Sequence, residues 1–199
     1  MPEEVQKLAS LLANLPGLGM RSAQRIVFYL LRDNKNTIEE LISALERLRL
    51  NIEYCCDCGS LKSKNEACVF CAPSRDASQM CVVEQPSDIY LIEHTQEYRG
   101  LYHVLMGVLS PLDGVYPEHL RLAELKKRVE ALPIREIIVA TNPSVEGLAT
   151  ANYIGHMLEN RPNLKITRLA SGLALGSQLE YADRDTLTQA LRNRVALNG

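Results

Sequence analysis

The sequence has almost no excess of charge in either direction. Lys and Arg number 22 and Asp and Glu 24 among 199 residues, a net charge of −2. Such a balance exerts no global pull on nucleic acid, so any such binding has to come from local patches. Long apolar runs are also missing: none approaches the roughly 20 residues that cross a bilayer. The opening "MPEEVQKL" is acidic and amphipathic, the reverse of the basic-then-apolar order of a signal peptide. These absences point to a cytoplasmic protein with no membrane partner, whose six cysteines are thiols or metal ligands and not disulfides. Histidine is sparse: His94, His103, His119 and His156 fall one per element, with no HxxxH or HxE spacing, and read as structural. Internal repeats and low-complexity tracts are absent. The 46% hydrophobic content is enough for one good core with one or two small satellites.

What is present falls into successive blocks. Val5, Leu8, Leu11, Leu12 and Leu15 recur at helical spacing, and "LPGLG" (15–19) ends that helix. A second amphipathic run carries Ala23, Ile26, Val27, Leu30 and Leu31 on one side; Phe28 and Tyr29 read as core and not as base-stacking platforms. Thr37 with Glu40 predicts a capping box opening a third helix, whose apolar stripe is Leu41, Ile42, Leu45 and Leu48. After a cysteine-rich stretch, strands are predicted at 80–84, 102–107, 136–140 and 165–170. Helices lie between them at about 86–94, 118–132 and 147–159, and a last helix spans about 184–196. Alternating strands and helices predict a mainly parallel sheet covered on both faces.

The sharpest motif is "CCDCGSLKSKNEACVFC". Cys55 and Cys58, then Cys68 and Cys71, form two CxxC knuckles around a short polar loop. Four thiolates at that spacing can close a tetrahedral shell around one Zn2+ with no position left for a catalytic water. In a segment too small to fold by burial, the metal supplies the folding free energy. A redox role fits less well, because neither CxxC opens a helix after a strand. Cys81, inside a predicted strand, reads as packing.

"LPGLGMRSAQRIVFYLL" (15–31) is the second motif. A Gly-rich hairpin between helices presents backbone N–H groups to a phosphate. Arg21 and Arg25, four apart, share one face of the following helix and add cationic phosphate contacts. Contacts confined to phosphate bind DNA without reading its sequence.

The third is "IIVATNPSVEGLATANYI" (137–154), a strand, a turn and a helix rich in small residues. Ligand sites of parallel sheets lie beyond the carboxyl ends of strands, where Glu84, Asn142, Ser144 and Glu146 are all expected. Two glutamates, an amide and a hydroxyl make a poor cage for the paired cations of phosphoryl transfer. "LSPLDG" (109–114), with Asp113, is explained by turn chemistry.

Taken in order, "LPGLGMRSAQR", the cysteine knuckles, "CVVEQPSDIYLIE", "LSPLDG", "ATNPSVEG" and "LEYAD" resemble the RecR family of bacterial recombination mediators over nearly the whole chain. The resemblance implies an α+β multi-module protein: a helix–hairpin–helix DNA-binding domain (1–53), a four-cysteine zinc finger (54–77), an α/β Toprim domain with a mainly parallel sheet (78–170), and a C-terminal segment (171–199) with a Walker-B-like "LEYAD" and an oligomerisation helix. It implies ring-shaped homo-oligomers, commonly tetramers able to encircle DNA, that act with RecO and RecF to load RecA at single-stranded gaps. Arg21 and Arg25 then match DNA-contacting positions, and Cys55, Cys58, Cys68 and Cys71 match zinc ligands. Glu84 and Asp88 match acidic positions implicated in RecO contact, with Glu146 a further partner-binding candidate.

Against catalytic Toprim enzymes, "NPSVEG" aligns with DxDxEG: Asn142 and Ser144 replace two aspartates while Glu146 and Gly147 remain. The expectation is a binding scaffold without catalysis. The rival is a metal-dependent Toprim-type phosphoryl-transfer enzyme acting on DNA through Glu84 and Glu146. Three departures stand out: Met20 where proline is frequent, "GLALG" (172–176) for a common GxPxG, and Leu148 at a position usually acidic.

Overall fold

Helical periodicity in the first fifty residues gives three helices. In the computed structural model, which describes residues 1–32 and 35–196, they make up one of two units, Met1–Ile52; the other begins at Glu53. Helix α1 (Glu3–Ala13) follows Pro2, whose fixed φ suits the entry to a helix. Gly17 takes a left-handed φ of 78° in the hairpin, and the Ala23 N–H donates to the Gly19 carbonyl to start α2 (Met20–Arg32). Ala9, Ala23 and Val27 form the buried seam between α1 and α2, with Val5, Leu12 and Ala13 against it.

Two expectations for this unit need correction. Helix α3 (Lys35–Asn51) already includes Lys35 and Asn36, so Thr37 lies inside the helix and does not open it; no proline or glycine at 35 or 36 stops the helix there. Phe28 and Tyr29 are not core: the α1 seam runs along the opposite side of α2, and both rings stay 54% exposed. The row Leu41, Ile42, Leu45 and Leu48 on α3 is 46–61% exposed as well.

Next along the chain comes a two-stranded sheet, β1 (Ile52–Tyr54) and β2 (Leu61–Ser63), followed by a single 3-10 turn at Val69–Cys71. Then comes a four-stranded sheet of order β4-β3-β5-β6, with every neighbouring pair parallel. Its strands are β3 (Asp76–Val83), β4 (Gly100–Val104), β5 (Glu136–Val139) and β6 (Lys165–Arg168). Helices α4 (Pro86–Glu93), α5 (Leu122–Ala131) and α6 (Val145–Leu158) connect them, and α7 (Arg184–Arg192) is the last helix of the described residues.

Both faces of the sheet are covered, so its strands read as apolar runs. Along β3, Met80 and Val82 face a cluster that includes Leu125, Val129, Ile137 and Ile154. Cys81 and Val83 face a second cluster with Ile89, Tyr102, Phe70, Cys55, Cys58 and Cys68. The cysteine knuckles thus share a core with the sheet. Burial pushes the Cys81 thiol up to about 12, in keeping with a packing role.

Candidate nucleic-acid interface and metal centre

The four knuckle cysteines converge. Their Sγ atoms all lie within 4.8 Å of one another. Cys58 and Cys68 are 3.6 Å apart and Cys55 and Cys71 3.9 Å. Four sulfurs bound tetrahedrally at the usual Zn–S length sit about 3.8 Å apart, so the set is compatible with one Zn2+, the longer separations closing by up to about 1 Å. The neighbouring Cys71 thiol, with the Ser60 hydroxyl, favours the thiolate of Cys58 and draws its pKa down, whereas burial pushes Cys55 up. Cys56 is exposed and outside the quartet.

The supports around this centre were not visible in the motif. The Ser60 hydroxyl, 1% exposed, lies 3.0 Å from Cys58 Sγ and 3.1 Å from Cys68 Sγ. Arg121 reaches across from the segment before α5 and donates to the carbonyls of Cys56 (2.5 Å), Asp57 (3.1 Å) and Cys55 (3.4 Å). Gly59 has φ 79°, and a Cβ there would strike the Arg121 guanidinium. Arg75 donates to both carboxylate oxygens of Glu93 and to the Gly100 carbonyl, while stacking on Phe70 and Tyr102 at 5.7 and 5.1 Å. Sequence reasoning missed Arg75 and Arg121 because their partners are remote in the chain, and Ser60, though inside the motif, because nothing in the spacing shows its hydroxyl turned toward the sulfurs; only the Gly59 position carried a local hint.

At the carboxyl edge of the sheet, the Asn142 main-chain N–H donates to Glu84 Oε1 (2.6 Å) and its side-chain amide to Oε2 (2.8 Å). The amide at position 142 thus satisfies the carboxylate with neutral donors, where an aspartate would repel it. Ser144 caps α6, its Oγ accepting from the Gly147 N–H at 3.0 Å. Gly147 is required by close approach, since any Cβ would collide with the Asn142 carbonyl. Asp88 caps α4, accepting from the Gln85 N–H at 2.7 Å. Glu146 is exposed in the first turn of α6, where the helix dipole favours a negative charge. Among the described residues, the cysteine quartet is the sole grouping of three or more metal-ligating side chains.

Other candidate groups resolve into structure. Ser110 Oγ donates to Asp113 at 2.5 Å within the "LSPLDG" turn. In "LEYAD", Asp183 caps α7, accepting from the Asp185 and Thr186 N–H groups (2.9 Å each) and from the Thr186 hydroxyl (2.7 Å). His103 is buried between an Arg128 donor at Nδ1 (3.2 Å) and the Arg121 carbonyl at Nε2 (2.8 Å).

Arg21 and Arg25 lie one turn apart at the start of α2, both exposed. Neither forms an ion pair among the described residues. No helix of the described residues is long and apolar enough to cross a membrane.

A helix–hairpin–helix, a four-cysteine centre packed on a parallel sheet, and a glutamate–asparagine pair at that sheet's carboxyl edge define a multi-module α/β protein of the Toprim-containing class. Family models agree: Toprim domain matches residues 78–170, the RecR helix-hairpin-helix 5–49, and the RecR C-terminal region 172–195. The chain is 48% identical to Recombination protein RecR of Nocardia farcinica over 198 residues, covering 97% of this chain and 98% of the relative. It is equally similar to the protein of that name from Mycolicibacterium smegmatis (48%, covering 97% of each). The chain belongs to the RecR family of recombination proteins.

Proposed function

We propose that this chain is a non-catalytic, DNA-binding mediator of recombinational repair. It forms a ring-shaped homo-oligomer, a tetramer, that encircles DNA in the cytoplasm and acts with RecO and RecF to load RecA at single-stranded gaps. Arg21 and Arg25 contact phosphates, and a closed ring gains residence by adding such weak contacts from several subunits. Zn2+ held by Cys55, Cys58, Cys68 and Cys71 is structural. Glu84, Asp88 and Glu146 give the carboxyl edge of the sheet an acidic surface suited to RecO.

The observation that carries the reading is the Glu84–Asn142 pair. Phosphoryl transfer through paired cations needs several carboxylates in convergence; here one of the few acids at the edge is already satisfied by amide donors. The test is incubation of the purified protein with labelled gapped DNA in Mg2+ or Mn2+. The expected result is a retarded complex with unaltered DNA, lost in Arg21→Glu/Arg25→Glu while the native mass stays unchanged. Cleavage, joining or synthesis that depends on Glu84 and Glu146 would overturn it.

A further inference from the structure

Helix α2 carries three arginines, Arg21, Arg25 and Arg32, and no acidic residue. At about 3.6 residues per turn, Arg21, Arg25, Phe28 and Arg32 fall within an arc of about 60°, and Tyr29 flanks it. The buried residues Ala23 and Val27 lie on the opposite side. Phe28 is one of only two phenylalanines in the chain; the other, Phe70, is buried. Phe28 instead stands 54% exposed, between an arginine three residues before it and another four residues after it. Ser22, Arg25, Ile26, Phe28, Tyr29 and Arg32 border one open hollow of about 740 Å3.

An exposed aromatic inside a cationic stripe differs from the aliphatic row on α3. A row of leucines can be covered only by apolar surface. Rings set among guanidiniums match a different occupant: a nucleic-acid backbone held on the arginines, with unpaired bases against the rings. Paired bases are stacked inside a duplex and offer no face to a ring. Resting on the proposed DNA-binding role, we infer that Phe28 and Tyr29 form a stacking platform for unpaired bases, so that α2 favours single-stranded over duplex DNA. Arg21, Arg25 and Arg32 hold the backbone alongside.

The test compares wild-type protein with Phe28→Leu/Tyr29→Leu, which keeps apolar bulk but removes both π-faces. Phe28→Ala/Tyr29→Ala is the deeper truncation. Probes are a single-stranded oligonucleotide containing 2-aminopurine and the duplex of the same sequence, read by fluorescence and by affinity, with native mass as control. The expected result is loss of 2-aminopurine quenching and a fall of about tenfold or more in single-strand affinity, with duplex affinity changed less than about twofold. Equal loss on both probes together with a smaller native mass would assign the aromatic face to a second copy of the chain and overturn the inference. Unchanged binding to both probes would overturn it as well. Failure of the underlying DNA-binding reading is distinguishable, because it leaves Arg21→Glu/Arg25→Glu without effect on either probe.

Discussion

Asn142 holds Glu84 through two donors at once, main-chain N–H to Oε1 at 2.6 Å and side-chain amide to Oε2 at 2.8 Å. Because the main-chain donor fixes one carboxylate oxygen, the other faces the side chain of residue 142. That side chain must donate there, and asparagine does so without a cation. Asn142→Asp removes the donor and sets two carboxylates against each other. Both residues are partly solvated, so the cost is about 1 kcal/mol, a drop in Tm of about 2–4 °C for a chain of this size. Millimolar Mg2+ is expected to restore the loss in the variant and to leave wild type unchanged. Thermal unfolding with and without Mg2+ measures both; an Asn142→Asp variant indifferent to Mg2+ would show that the crevice cannot hold a cation.

Retention of the proposed zinc should depend on how firmly the first knuckle is held. Arg121 donates to three consecutive main-chain carbonyls, those of Cys55, Cys56 and Asp57, from a different part of the second unit. Supports of this kind set metal affinity by about 10–100-fold. One zinc per chain is expected by elemental analysis. Arg121→Ala should surrender it to a competing chelator about tenfold more readily, and Cys58→Ser should fail to retain it. Equal release from Arg121→Ala and wild type would remove Arg121 from the account.

The parts of the molecule legible in the sequence are those set by short-range pattern. Paired CxxC spacing brought Cys55, Cys58, Cys68 and Cys71 together, and apolar runs bounded by turns gave the strands β3 to β6. Contacts that depend on tertiary placement left little trace. Ser60, Arg75 and Arg121 are ordinary residues until the fold places Ser60 between two sulfurs, Arg75 on Phe70 and Tyr102, and Arg121 over the knuckle. Phe28 shows the limit from the other side. An aromatic in an amphipathic run looks like core, and only the position of the Ala23–Val27 seam shows that it faces away. Thr37 and Glu40 have the capping-box pattern, yet Lys35 and Asn36 are already helical, since nothing in their backbone chemistry opposes a helix.

Arg21 and Arg25 should act through charge alone. Each phosphate contact to duplex DNA adds about 0.9 to the slope of log affinity against log salt. Replacing both with glutamine is therefore expected to lower that slope by about 1.8 per engaged chain and to weaken binding similarly across sequences. Fluorescence anisotropy titrations from low to physiological salt provide the measurement. A variant with reduced affinity and an unchanged slope would mean that the two arginines shape the hairpin and do not touch phosphate.

His103 makes the second unit acid-sensitive by a route separate from its carboxylates. Burial pulls its pKa from the ordinary 6.5 down to about 3, with the Arg128 and Arg121 charges acting in the same direction and the hydrogen bond to the Arg121 carbonyl opposing them. Arg128 donates to Nδ1, so the neutral ring carries its proton on Nε2 and donates to that carbonyl. The folded pKa lies below the unfolded one, so the unfolded chain takes up the proton first as pH falls. This contribution to stability is complete above pH 6.5 and shrinks progressively toward pH 3. By pH 5.5 the loss amounts to about 1.4 kcal/mol. His103→Asn retains a donor for the Arg121 carbonyl but does not titrate. The stability advantage of wild type over this variant, measured by denaturant unfolding with zinc in excess, should narrow by about that amount between pH 7.5 and 5.5. Because both proteins contain the same cysteines and carboxylates, their acid losses cancel in the difference. A gap that stays constant over this range would mean that the ring is protonated inside the fold.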